Sequence, residues 1–138
     1  VHSPDFLAHQ RLLVVEDNHD AREALVHLFE RLGADAVGVA SVQGALAELE
    51  GTHPLAVISD LQLPDQDGFD LIRQIRADGR LAGLPVLALT AHARPSDCQR
   101  ALEAGFDAYL AKPVESGTLI GVLAELCRDP ARGTLGSG

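Results

Sequence analysis

Five short apolar runs, each closed by polar residues and most followed by a stretch with helical periodicity, leave this chain few folds to choose from. The runs are Arg11 to Val15 (apolar after its first residue), Asp35 to Ala40, Leu55 to Ser59, Pro85 to Leu89 and Phe106 to Ala111. They end at Glu16-Asp17-Asn18, Ser41, Asp60, Thr90 and Lys112. Short runs rich in Val, Leu and Ile, bounded by turn residues, fit strands buried on both faces of a parallel sheet. Between them Leu25, Leu28, Phe29 and Leu32 fall at i, i+3, i+4 and i+7, with Gly33 as a C-terminal stop. Val42, Ala45, Leu46 and Leu49 repeat the spacing behind a Ser41 N-cap and ahead of Gly51. Leu71, Ile72 and Ile75 follow Asp67-Gly68; Cys98, Ala101 and Leu102 follow Pro95 and precede Gly105; Leu119, Leu123 and Leu126 give the last helix its stripe. Strict alternation from Arg11 to Arg128 predicts one doubly wound α/β domain, five strands and five helices joined by right-handed crossovers.

Composition is needed only to exclude. With 46% hydrophobic residues the chain can bury a core without disulfides or structural metals. No apolar stretch approaches the roughly 20 residues of a membrane span, and no signal peptide opens the chain, so the expected location is cytoplasmic, with a parent chain free to be membrane-anchored. A formal net charge of -9 and a pI near 4.9 argue against direct binding to nucleic acid or to an anionic membrane. Cys98 and Cys127 form no CxxC pair and read as reduced, structural thiols. The six histidines show no zinc-site spacing.

The chemistry follows from where the strand ends meet. In an open α/β sheet, ligands bind at the carboxyl ends of the strands, which would gather Glu16, Asp17, Asp60, Thr90 and Lys112. Lys112 is the only lysine among eleven basic residues, the rest being arginine. A compact ammonium suits a small anionic oxygen in a tight site, where a guanidinium fork needs more room. Carboxylates brought together repel, each pair at 4 Å by about 4 kcal/mol at an effective dielectric near 20. A cation must offset that cost, and hard oxygen ligands with no His or Cys nearby point to Mg²⁺, or a similar ion such as Mn²⁺. Magnesium in turn implies phosphoryl chemistry, with Asp60 as nucleophile and Lys112 and the Thr90 hydroxyl holding phosphoryl oxygens.

This constellation in this order, an acidic pair after the first strand, an Asp after the third, Thr-Ala after the fourth and Lys-Pro after the fifth, resembles the receiver domain of two-component response regulators. The likeness runs from about Arg11 to Arg128. It implies the flavodoxin-like strand order 2-1-3-4-5, with Asp60 as phosphoacceptor and Asp17 as a direct Mg²⁺ ligand. Glu16 would act on the metal largely through water, and Gln62 would offer it a backbone carbonyl. Thr90 resembles the switch hydroxyl, Lys112 its ion-pair partner, Tyr109 the aromatic that changes rotamer with it, and Lys112-Pro113 the family's cis peptide. Gln62 and His92, two residues past Asp60 and Thr90, would tune the lifetime of the acyl phosphate. The phosphodonor would be a histidine kinase or histidine phosphotransfer domain, and the face of the fourth helix, fifth strand and fifth helix would serve a homodimer or another partner. The resemblance leaves open whether the chain counts as an enzyme: it implies self-catalysed phosphotransfer and autodephosphorylation, in a parent chain that could be a histidine kinase.

Each residue alone has a plainer role. Asp60 could cap a turn, Glu16-Asp17 could open a helix, Tyr109 could be a half-buried core aromatic, and Pro64 to Gly68 reads as a turn into a helix capped by Asp67. Together they would require independent accidents at matching strand ends. A haloacid-dehalogenase-like phosphatase would place its nucleophile first and a second Asp two residues on, where this chain has Gln62. A dinucleotide-binding turn would need glycines where Glu16-Asp17-Asn18-His19 stands. A pseudo-receiver would have lost one of the five site residues.

The ends read as residues 1–10, a linker, and residues 129–138, a flexible tail, around a domain at 11–128. The absence of methionine and the length of the leading segment suggest a fragment of something longer. Leu87 to Ala93 together with Gly105 to Pro113 resembles receivers fused to hybrid sensor histidine kinases, the parent expected here; a response regulator lacking its output domain is the alternative.

Overall fold

The computed structural model of the protein describes residues 4–65, 67–91 and 94–128. Strands and helices alternate in the expected order: β1 (Arg11–Val15), α1 (His19–Arg31), β2 (Asp35–Val39), α2 (Val42–Gly51), β3 (Ala56–Asp60), α3 (Gly68–Ala77), β4 (Val86–Thr90), α4 (Pro95–Ala104), β5 (Ala108–Ala111) and α5 (Ser116–Arg128). The sheet is parallel throughout, in the order β2-β1-β3-β4-β5. Successive side chains of a strand point to opposite faces, so each central strand feeds two cores. Leu13, Val15, Val57 and Val86 pack with Leu49, Ile72, Ile75 and Ala101 of α2, α3 and α4. Leu12, Val14, Ile58 and Leu87 pack on the other face with Phe29 of α1 and with Leu119 and Leu123 of α5.

The helix starts follow the capping chemistry. Asn18, Ser41 and Asp67 each accept a main-chain N–H three residues on, while α4 begins at Pro95, whose missing N–H is no loss there. β3 and β4 run one residue further than their apolar runs, because Asp60 and Thr90 are still paired, with Leu89 and Ala111. The fifth strand is shorter than its apolar run. Phe106 turns inward to meet Phe69 edge-on, with ring centroids 6.2 Å apart. Asp107 is held by Arg76 and by the Val86 N–H.

The segment before β1, expected as a linker, is docked from Pro4 onward. Pro4–Leu7 is a 3-10 turn, and Leu7 is fully buried in the core beside Phe29 and Leu123. The His9 N–H donates to Gly33 O at 2.8 Å, and the Asp35 N–H to Gln10 O at 2.8 Å. Three adjacent apolar residues, Phe6-Leu7-Ala8, are too few to show a period, so this anchor has no signature in the sequence pattern. The expected tail at 129–138 lies outside the described residues.

Candidate functional site

Parallel register brings the carboxyl ends of β1, β3, β4 and β5 to one edge of the sheet. There Val15 pairs with Ser59, Asp60 with Leu89, and Thr90 with Ala111. The buried polar residues among those described are Glu16, Ser59, Asp60 and Thr90, and all four lie at this edge. Burying charge is costly unless it is paired, and here one ammonium does the pairing. Lys112 Nζ donates to Asp60 Oδ2 at 2.8 Å and to Glu16 Oε1 at 2.7 Å. The other oxygens accept from main chain: Asp60 Oδ1 from the Gln62 N–H at 3.1 Å, and Glu16 Oε2 from the Asn18 N–H at 3.1 Å. Burial raises the Glu16 pKa and the Asp60 charge adds to it, against the opposing bonds from Lys112 and the Asn18 N–H. Burial also works against the Lys112 ammonium, but its bonds to Asp60 and Glu16 outweigh it and leave the pKa raised.

Asp17, next to Glu16, is exposed, and among the described residues no hydrogen bond to its carboxylate is found. One oxygen each from Glu16, Asp17 and Asp60 lies within 4.8 Å of the others. Three carboxylates against one ammonium leave two negative charges, and the all-oxygen donor set suits a hard divalent cation.

Local packing keeps the Asp60 loop in place. A Cβ on Gly68 would lie 2.7 Å from the Asp60 carbonyl oxygen and 2.8 Å from Leu61 Cα, so only glycine lets α3 start against this backbone. The Gly68 N–H donates to Leu61 O at 2.7 Å. Asp67 caps α3 as expected, and Asp65 has a role the sequence did not disclose. Its two oxygens accept the Val42 and Gln43 N–H groups, both at 3.0 Å, tying the β3–α3 loop to the start of α2. That contact spans more than twenty residues, and no local pattern announces it. Arg22 was missed for a different reason, that its acceptors are main-chain groups: from the first turn of α1 it donates to the carbonyls of Glu16 at 2.9 Å and Asp17 at 3.4 Å.

The structure thus unites Glu16, Asp17, Asp60, Lys112 and the Gln62 backbone. Thr90 is buried at the end of β4, where its carbonyl accepts the Lys112 N–H at 2.9 Å. Lys112-Pro113 is cis. Tyr109 stands apart, 38% exposed. A hydrogen bond with the Cys98 thiol, foremost, raises the pKa of its hydroxyl. His92 and Gln66 lie outside the described residues.

The response regulator receiver domain family matches residues 12–124. The chain belongs to that family. It is therefore a receiver domain of a two-component system, and the dehalogenase-like alternative is set aside. It is 40% identical over 121 residues to an uncharacterized 14.6 kDa protein of Leptolyngbya boryana, covering 88% of this chain and 92% of that one. It is 38% identical to the transcriptional regulatory protein GltR of Pseudomonas aeruginosa, over 85% of this chain, and 33% identical to the response regulator Rre1 of Synechocystis, over 91%. It spans 48% and 55% of those two regulators. Among solved structures, it resembles the receiver domain of a Pseudomonas aeruginosa sensor histidine kinase, which has a magnesium ion coordinated in its active site cleft. That receiver is 33% identical, with TM-score 0.82, covering 88% of this chain and all of the other. The signal receiver domain of a Syntrophus aciditrophicus histidine kinase is 32% identical, with TM-score 0.79 and coverage of 86% and 90%. Among the described residues, no helix of this receiver is long and apolar enough to cross a membrane.

Proposed function

We propose that Asp60 is the phosphoacceptor of this receiver, that Lys112 orients and neutralises it, and that Thr90 reads its phosphorylation state. The observation that carries this is the Lys112 ammonium set between Asp60 and Glu16 in a cluster that stays two charges short of balance. Mg²⁺, or Mn²⁺ in its place, would be held by Asp17 and Asp60 directly, by Glu16 through water and by the Gln62 carbonyl. Once bound, the ion supplies positive charge to phosphoryl oxygens.

The protein's own groups do the rest. An Asp60 carboxylate oxygen forms the O–P bond as the P–N bond of a phosphohistidine breaks. The imidazole takes the electron pair and leaves neutral if its other nitrogen already carries a proton. Lys112 is held by Glu16 while Asp60 exchanges its contact for the phosphoryl group. The Thr90 hydroxyl then gains an acceptor that exists only when Asp60 is loaded, which biases α4, β5 and α5 toward a second arrangement with Tyr109 moving inward. A groove of about 440 Å³ beside Lys112, lined by Ala21, Ala24 and Leu25 of α1 and by Pro113 and Val114, suits the apolar helix face of a histidine kinase or phosphotransfer domain. Leu102 and Tyr109, the large exposed apolar side chains among the described residues, flank the α4–β5 surface and support a partner or homodimer there.

The parent in this reading is a cytoplasmic module of a hybrid sensor kinase, supported by the likeness to two receivers taken from histidine kinases. The likeness to GltR and Rre1 favours the second context, a response regulator. The test is intact mass after incubation with acetyl phosphate and MgCl2. Wild type and Thr90→Ala gain one alkali-labile phosphoryl group and Asp60→Asn gains none; equal incorporation in wild type and Asp60→Asn overturns the assignment.

A further inference from the structure

The main-chain carbonyls of Glu16 and Asp17 lie just past the end of β1, beyond the paired register of the sheet. Arg22 meets them. One guanidinium nitrogen, Nη1, is 2.9 Å from Glu16 O and 3.4 Å from Asp17 O, and Nη2 lies 3.2 Å from His19 Nδ1. The stem of Arg22 crosses the edge strand β2 at Gly38, where a Cβ would sit 2.8 Å from Arg22 Cγ and 3.1 Å from Cδ. Glycine at that position leaves the lane along which the arginine reaches the acidic turn.

We propose that Arg22 is a positioning residue of the metal site, and that Gly38 is the cradle that lets it act. By fixing the two carbonyls, the guanidinium sets the direction in which the Glu16 and Asp17 side chains leave the backbone, and so the spacing of the oxygens that face Asp60. Groups that orient metal ligands from behind commonly change affinity by about 10–100-fold when removed. The inference rests on the metal reading above, and it carries a sign that simple electrostatics does not. A cation beside a dication site repels the incoming ion, so charge alone predicts tighter binding when Arg22 is lost. Positioning predicts weaker binding. Lys separates the two further, keeping the charge but losing the rigid plane that holds Nη1 on both carbonyls while Nη2 meets His19 Nδ1.

The experiment is a titration of the protein with MgCl2, followed by NMR at the backbone amides of residues 16–18 and 60–62. Wild type is compared with Arg22→Ala, Arg22→Lys, Gly38→Val and Asp17→Asn. Expected is a loss of about tenfold in Mg²⁺ affinity in each of the first three. Gly38→Val touches no ligand, and because its Cβ also crowds Val26 Cγ2 at 3.1 Å, its melting temperature is measured alongside to show that the protein titrated is folded. Tighter binding in Arg22→Ala with unchanged binding in Arg22→Lys overturns the proposal, as does wild-type affinity in Gly38→Val with its Arg22 contact to Glu16 displaced. If wild type shows no saturable shifts, or Asp17→Asn titrates like wild type, the metal reading fails and this inference falls with it.

Discussion

Two part-buried charge clusters sit at opposite ends of the same sheet, and they are built on opposite principles. At the amino end of β4, Arg76 donates to the carbonyls of Gly105, Ala82 and Leu84 and to Asp107 Oδ2, which also accepts the Val86 N–H. One cation meets one anion, and the donors of the guanidinium are directed at four acceptors. At the carboxyl end, one ammonium faces three carboxylates. The first cluster is complete as it stands and ties α3 to the entries of β4 and β5. The second is held together by Lys112 but is left short of positive charge, as a site must be if a cation is to bind there favourably. Residues that complete a fold and residues that await a ligand thus differ in charge balance more than in burial.

Removing the complete cluster should have the larger effect on stability. Arg76→Ala removes the countercharge of part-buried Asp107 and the donor to three carbonyls, and should cost about 3 kcal/mol by urea unfolding. Mg²⁺ affinity should be unaltered, and a change in affinity with little loss of stability would break the distinction between the two ends. Asp65→Ala comes next. It removes the acceptor of two N–H groups in the first turn of α2, whose Ser41 cap serves only the Gly44 N–H, and should cost about 1 kcal/mol in the same assay.

Smallest is Glu115, a carboxylate near the site end that is satisfied by its own helix. It accepts both the N–H and the hydroxyl of Thr118 at 2.8 Å, and the N–H bond foremost holds its pKa below the ordinary 4.5. A depressed carboxylate stabilises the fold above its unfolded pKa, and that stability is lost as pH falls through its folded value. Glu115→Gln should therefore flatten the decline in melting temperature below about pH 4.5, while leaving neutral-pH phosphorylation unchanged.

How far the sequence disclosed these features depends on their range. The strands and helices announced themselves because continuous apolar runs and helical period are local, and Asn18, Ser41 and Asp67 are caps acting three residues away. The strand ends disclosed Glu16, Asp17, Asp60, Thr90 and Lys112 because a parallel sheet collects them at one edge whatever the loops do. Asp65, Arg22 and Arg76 were illegible for the converse reason. Each acts on main-chain groups, which carry no residue identity to pair with, and the Asp65 and Arg76 contacts reach across tens of residues. Leu7 was hidden by company, one run of three apolar residues inside a polar segment. Tyr109 was found as a residue, but its outward place against Cys98 depends on the exposure of the edge strand β5, which periodicity does not report.

The claim that the carboxyl-end cluster awaits a cation is tested most directly by thermal unfolding of wild type and Asp17→Asn across a MgCl2 series, with EDTA as the zero point. The account predicts that wild type gains about 2.7 kcal/mol when free Mg²⁺ reaches 100 times its dissociation constant. Asp17→Asn, having lost an anionic ligand that no side chain among the described residues neutralises, should be at least as stable as wild type in EDTA and gain little from the ion. A wild type indifferent to Mg²⁺, or an Asp17→Asn variant that is stabilised as strongly, would contradict it.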